Sequence, residues 1–149
     1  MNPNNNKLLI IAATCSALVA IAHLGCIVFG ADWYRFFGAG EAMAKMAEAG
    51  HWYPTVVTVV IVALLSIWSL YALSGARVIK RLPLLRLGLI VISAIYILRG
   101  IAFVGIMPMF PENSLMFWFI SSSISLSIGL LYGFGTYKAW SHLSAKTTN

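Results

Sequence analysis

Four apolar runs divide the chain, and polar punctuation closes each one. Residues 8–30 carry no charged side chain, and His23 is the one imidazole among them. Residues 54–75 form the second run, with Pro54 suited to a first helical turn and Gly75 to an end. The third covers residues 85–107 and is closed by Pro108. The fourth covers residues 115–137, with Asn113 or Ser114 placed to cap it. Each is long enough to cross a hydrocarbon layer of about 30 Å as a helix. The first is too long for the apolar region of a signal peptide, about 7–15 residues. The pattern predicts an all-α fold, an integral membrane four-helix bundle that forms a single transmembrane domain over residues 1–149. Residues 31–53 are left as the longest loop.

Composition strengthens this reading. Of 149 residues, 60% are hydrophobic and 9% charged, against about 25% charged in a soluble domain. Too few charges remain to coat a globule in water, so the expected solvent is the lipid bilayer. The net charge of +6 could point to nucleic acid. The positions argue otherwise, because Lys7, Arg77, Lys80, Arg81, Arg86, Lys138 and Lys146 all flank apolar runs. No nucleic-acid partner is expected.

The same charges orient the chain. The N-terminal segment, the 77–86 loop and the C-terminal tail are basic and lack acids, whereas the other two loops set Arg35 and Lys45 against Asp32, Glu41, Glu48 and Glu112. The positive-inside rule then places both termini in the cytoplasm, as a multi-pass protein of the bacterial inner membrane. Trp33, Tyr34, Trp52, Tyr53, Phe110 and Trp118 fall at the expected outer interface, and Tyr71, Tyr137 and Trp140 at the inner one, as an aromatic belt requires.

The outer loop reads ADWYRFFGAGEAMAKMAEAGHWY. Its Ala-rich stretch, residues 41–49 between Gly40 and Gly50, favours a short amphipathic helix. Glu41 and Lys45 stand four apart in the better order for pairing. Met43 and Met46, or Ala42 and Met46, offer an apolar side. Such a helix covers the bundle or acts as a lid over a cavity.

Arg99 lies inside the third run, about 12 Å below its outer end at 1.5 Å per residue. A central arginine costs about 2.5–3.5 kcal/mol on insertion scales and needs a partner or a wet cavity. No Asp or Glu lies in any run, so the loop is expected to dip inward and bring Glu41 or Asp32 to Arg99. The alternative is that Arg99 receives an anionic ligand group. His23 lies at a similar depth, about 10 Å below the outer end, and Tyr96 stands one turn before Arg99. Arg99, His23, Glu41, Asp32 and Tyr96 thus form the candidate polar cluster, with Trp33, Tyr34 and Trp52 as the loop aromatics above it.

Small residues mark helix packing. Ser121, Ser125, Gly129 and Gly133 form a stripe of period four on the fourth run, and Ala12, Ser16 and Ala20 form another on the first. Such stripes let helices approach closely, within one chain or between copies. Cys15 and Cys26 are separated by about 16 Å of helix and cannot bridge each other. No CxxC pair and no set of metal or haem ligands is present, so neither a cofactor nor a metal is expected.

The expected function is therefore non-catalytic. The chain would bind a lipid or small amphipathic, anionic ligand in an outward-facing pocket, or serve as an accessory or envelope-maintenance component. A homo-oligomer or a larger membrane complex would be its partner. A small-molecule transporter or efflux subunit is the alternative, weakened by the lack of a buried carboxylate. A lipid- or quinone-modifying enzyme ranks lower, because no catalytic spacing is present. The stretches GADWYRFFGAGE, LYALSGA, RLPLLR and ILRG resemble small four-helix inner-membrane proteins of proteobacteria. The resemblance covers most of the chain and carries no activity with it.

Overall fold

The structure, a computed structural model, describes residues 6–144. Lys146, one of the basic flanks, lies outside the described residues. The order of elements is α1 (Lys7–Phe29), α2 (Ala31–Phe36), α3 (Glu41–Glu48), α4 (Trp52–Gly75), α5 (Leu85–Ile101), α6 (Phe103–Ile106), a 3-10 turn (Met107–Met109) and α7 (Leu115–Ser144). No strand occurs among the described residues. Three helices, α1, α4 and α7, are long and apolar enough to cross a membrane. A fourth qualifies if α5 and the turns after it count as one bent element.

The ends of the helices follow local chemistry. The Asn6 side chain caps α1 by accepting from the N–H groups of Leu8 and Leu9 at 3.2 and 3.4 Å. Gly30, at φ +73°, ends it. Ser114 rather than Asn113 caps α7, accepting from the Phe117 N–H at 3.1 Å. Between α4 and α5, the Ser74 hydroxyl donates to Lys80 O at 3.0 Å and accepts from the Leu82 N–H at 2.9 Å.

Two sequence expectations change. The third run is not one straight helix. It bends by 63° between Ile101 and Phe103, where the Gly105 N–H bonds Ala102 O in a tight i−3 turn and Pro108 further on has no N–H to continue an α-helix. The fourth run extends past residue 137 to Ser144, because nothing in KAWSHLS breaks a helix.

α1 packs along α4 and α5 along α7, with narrower α1–α7 and α4–α5 seams closing the bundle. The core mixes small and large side chains: Ala12, Ser16, Leu89, Tyr132 and Ala139 are all fully buried. Outside it stand Leu18, Ile21, Val28, Val60, Leu98 and Phe134, each more than half exposed. The start of α1, the α4–α5 loop and the last turns of α7 share one end of the bundle, since Asn6 Nδ2 donates to Gly135 O at 2.6 Å and Arg81 reaches the carbonyls of His142 and Leu143. This is the basic end. The opposite end carries α2, α3 and the bent α6 segment, and is called the loop end below.

Candidate functional site

At the loop end, Arg35 gathers the acids. It sits in the last turn of α2, so Asp32 lies one turn back on the same face, with Nη1 to Oδ1 at 3.3 Å. The chain then reverses through Gly38 and Gly40, at φ +68° and +92°, conformations that favour glycine. The reversal returns Glu41 to Arg35, which donates from Nε and Nη2 to its two carboxylate oxygens at 2.9 and 2.8 Å. Nη2 also reaches Glu48 at 2.8 Å. The bidentate guanidinium holds the Glu41 carboxyl below its usual range. Glu41, and then Glu48, push Arg35 upward in return.

The second loop at this end pins the first. Glu112 Oε1 accepts from the Glu41 N–H at 2.8 Å, capping α3 with a negative charge. Asn113 Nδ2 donates to Gly38 O at 3.2 Å. Beneath, Tyr34 is 3% exposed. The Thr58 hydroxyl donates to Pro54 O at 2.8 Å, so it accepts from Tyr34 OH at 3.0 Å. Trp33 stacks on Phe29 at 4.6 Å and lies directly over Gly25. Trp52 is 71% exposed. It borders a crevice of about 340 Å³ that Cys26, Tyr34, Ala47 and His51 also line.

The expected pairing of Arg99 with Glu41 or Asp32 is not what the structure holds, because Arg35 occupies both carboxylates first. Nor does Arg99 stand in mid-helix. It lies in the last turn of α5 before the bend, where the helix dipole and open carbonyls favour a cation. Its guanidinium carbon stands 5.5 Å from the Trp118 ring, within cation–π range. Nη2 makes a long contact with Ser121 Oγ at 3.5 Å. Trp118 is no interfacial anchor, being 2% exposed. Arg99 Nη1, Trp118 Nε1 and Ser122 Oγ are all buried without a hydrogen-bond partner.

His23 and Tyr96 join other groups. His23 Nδ1 bonds Val19 O at 2.8 Å, which makes Nδ1 the protonated nitrogen, and its ring lies 5.3 Å from Phe37. Tyr96 enters a hydroxyl chain in the core. Tyr132 OH donates to Trp68 O at 2.9 Å. A carbonyl can only accept, so Ser16 donates to Tyr132 OH at 3.0 Å and accepts from Tyr96 OH at 3.1 Å. This one directed chain links α5, α1, α7 and α4.

The stripe residues are used within the chain. Ser93 Oγ donates to Gly129 O at 2.9 Å, and Gly129 lies against Ile97 and Tyr96. Gly133 faces Ser93, while Ser121 and Ser125 are partly exposed at its edge. The expected polar cluster therefore divides into an Arg35–carboxylate hub, an Arg99–Trp118 seam, a His23–Phe37 contact and a core hydroxyl chain. Arg35 was missed, although its (i, i+3) spacing from Asp32 was a signal for it. Tyr132 and Trp68 had none, since only folding brings them to Ser16.

Compared with known proteins, the chain matches no family profile, no curated protein sequence and no solved structure.

Proposed function

We propose that this is a non-catalytic, multi-pass protein of the bacterial inner membrane that holds an anionic amphipathic ligand at Arg99, beneath the α2–α3 cap. Both chain ends are cytoplasmic in this reading, and α5 with its bent continuation is the fourth span. The apolar outer faces of α1, α4 and α7 support the membrane assignment, since soluble monomers rarely expose apolar patches beyond a few hundred Å². The basic and acidic ends support the orientation.

One observation carries the ligand. Arg99 Nη1 and Trp118 Nε1 are neighbouring buried donors with no acceptor among the described residues. An unmatched buried charged donor is costly. The carboxylates that would quench it are held by Arg35. A phosphate or carboxylate entering along the α5–α7 seam supplies the missing acceptor, while its tail stays in lipid.

A thermal-shift titration in detergent tests this, with dodecyl phosphate and laurate as probes and dodecyl maltoside as the uncharged control. The anionic probes are expected to raise the melting temperature of the wild type and to leave Arg99→Leu unshifted. Equal shifts in wild type and variant would sink the proposal. If Arg99→Leu does not fold, Trp118→Phe removes one donor and is expected to weaken binding roughly tenfold, the loss of one hydrogen bond to a charged group.

A further inference from the structure

We infer that the Arg99 seam is built for a phosphate monoester rather than a carboxylate, with Ser122 as the donor that tells the two apart. The inference rests on the ligand reading above and narrows it to one head group.

Three buried donors of the seam meet no acceptor: Arg99 Nη1, Trp118 Nε1 and Ser122 Oγ. Sequence places the last two on one face of α7, since four residues make about one turn and about 6 Å of rise. The same face continues through Leu126 and Gly129, which lie against Gly100 and Ile97 of α5. Ser122 therefore stands on the side of α7 that meets α5. Its neighbour Ser121 is the one that Arg99 Nη2 approaches at 3.5 Å. Were α5 straight, its next turn would stand opposite Ser122. The chain bends by 63° instead, and the Arg99 guanidinium takes that level.

Ser122 differs from other helical hydroxyls. Thr14, Ser66 and Ser127 each donate to the carbonyl four residues earlier, at 3.0, 2.8 and 2.8 Å, which is how a hydroxyl within a helix is commonly satisfied. Ser122 is 4% exposed and makes no such bond. An unmatched buried hydroxyl costs stability, so an acceptor brought by a ligand accounts for it.

Counting acceptors selects the head group. A carboxylate has two oxygens, and a guanidinium fork takes both. Trp118 Nε1 and Ser122 Oγ approach from two levels of one helix and would have to share what is left. A phosphate monoester has three acceptor oxygens, set tetrahedrally. The fork takes two, and the third stands out of its plane for the donors of α7. A phosphodiester has given one of the three to its second ester. A water would meet the serine or the indole and leave the guanidinium charge unneutralised. Beside the seam, Ile101, Val104 and Phe119 are each more than half exposed, an apolar surround that suits the alkyl chain of a lipid phosphate.

The test is titration calorimetry of the full chain in dodecyl maltoside at about pH 9, where a monoester, with its second pKa of about 6, is a dianion. Dodecyl phosphate, methyl dodecyl phosphate and laurate are the probes, with inorganic phosphate to separate a lipid from a free anion. Dodecyl phosphate is expected to bind roughly tenfold or more tighter than laurate or the diester, the scale of one further hydrogen bond to a charged group. Ser122→Ala should remove most of that advantage. Laurate or the diester binding as tightly as dodecyl phosphate, or an advantage that survives Ser122→Ala, overturns the inference and leaves Arg99 as an anion site. The ranking of probes on the wild type carries the test alone if the variant does not fold. If no anionic probe binds, or if all bind Arg99→Leu equally well, the ligand reading itself fails. Inorganic phosphate binding as tightly as dodecyl phosphate keeps the phosphate and assigns it to a free anion rather than a lipid.

Discussion

Gly100 on α5 lies against Leu126 on α7 so closely that a Cβ on the glycine would stand 2.8 Å from the leucine Cβ and 2.9 Å from its backbone nitrogen. Backbone cannot swing aside as a flexible side chain can. Gly100→Ala is therefore expected to force α5 and α7 apart and to cost about 1–3 kcal/mol, the range for an overpacked core. Reversible unfolding in mixed micelles measures it. Gly105, with nothing near its Cβ position, is the control, and Gly105→Ala should be nearly neutral. Equal costs at the two positions would refute the close approach.

Arg35→Ala removes the hub that ties Asp32, Glu41 and Glu48 together. The expected outcome is local. Amide exchange in Glu41–Glu48 should speed up, while the amides of α4 and α7 keep their protection. The bundle survives because Ala44 and Tyr34 still pack under the cap, and exposed ion pairs contribute little to global stability. Unchanged exchange in α3 would show that Glu112 and the apolar contacts suffice without Arg35.

The same hub predicts a pH dependence. Arg35 holds the Glu41 carboxyl below its ordinary value, so the unfolded chain binds that proton more readily than the folded one. The stabilisation is then complete above the ordinary glutamate pKa of about 4.3 and is lost as pH falls through the depressed folded value. Protection of α3, corrected for intrinsic exchange, should stay level from neutral pH to about 5 and decline only below the glutamate range. In Glu41→Gln the acid decline should shrink. A decline near neutral pH would assign the effect to another group.

Much of the architecture was legible because it follows from lipid-scale hydropathy and local stops. Gly75 ends α4 and Leu115 opens α7 at the expected residues. The apolar side of α3 was legible through Met43 and Met46, which are partly buried, whereas Ala42 is exposed. The second helix of the loop, α2, was not. WYRFF has no helical period, and its fold depends on Tyr34 reaching Thr58 and Trp33 covering Gly25. The charge pairing failed for a similar reason. Glu41 was matched to Lys45 by helical spacing and to Arg99 by depth. The turn at Gly38 and Gly40 delivers it instead to Arg35, six residues away, a partner that no periodicity selects.

The core hydroxyl chain sets a second stability prediction. Tyr132→Phe removes the donor to Trp68 O and the acceptor for Ser16 at once. Interhelical hydrogen bonds in a membrane are worth about 0.6 kcal/mol on average and up to about 1.7. The loss should therefore be about 1–3 kcal/mol for the two bonds, with the fold kept. Ser16→Ala should cost a similar amount, and the double variant should cost clearly less than the sum, because both changes break one chain. Additive costs would mean the hydroxyls act independently.

Orientation can be read chemically, because the charges are separated end from end. All four acidic residues, Asp32, Glu41, Glu48 and Glu112, lie at the loop end, whereas Lys7, Arg77, Lys80, Arg81, Arg86 and Lys138 flank the other. Positive charge resists translocation and acidic residues contribute little to the choice, so the loop end is the one expected to cross. In a Cys15→Ser/Cys26→Ser background, Glu48→Cys should react with an impermeant maleimide on intact spheroplasts. Lys138→Cys should react only after the membrane is opened. Both positions are exposed, so access to the reagent, rather than packing, decides the result. Labelling of Lys138→Cys from outside would invert the topology and place the Arg99 seam, with its unmatched donors, on the cytoplasmic side.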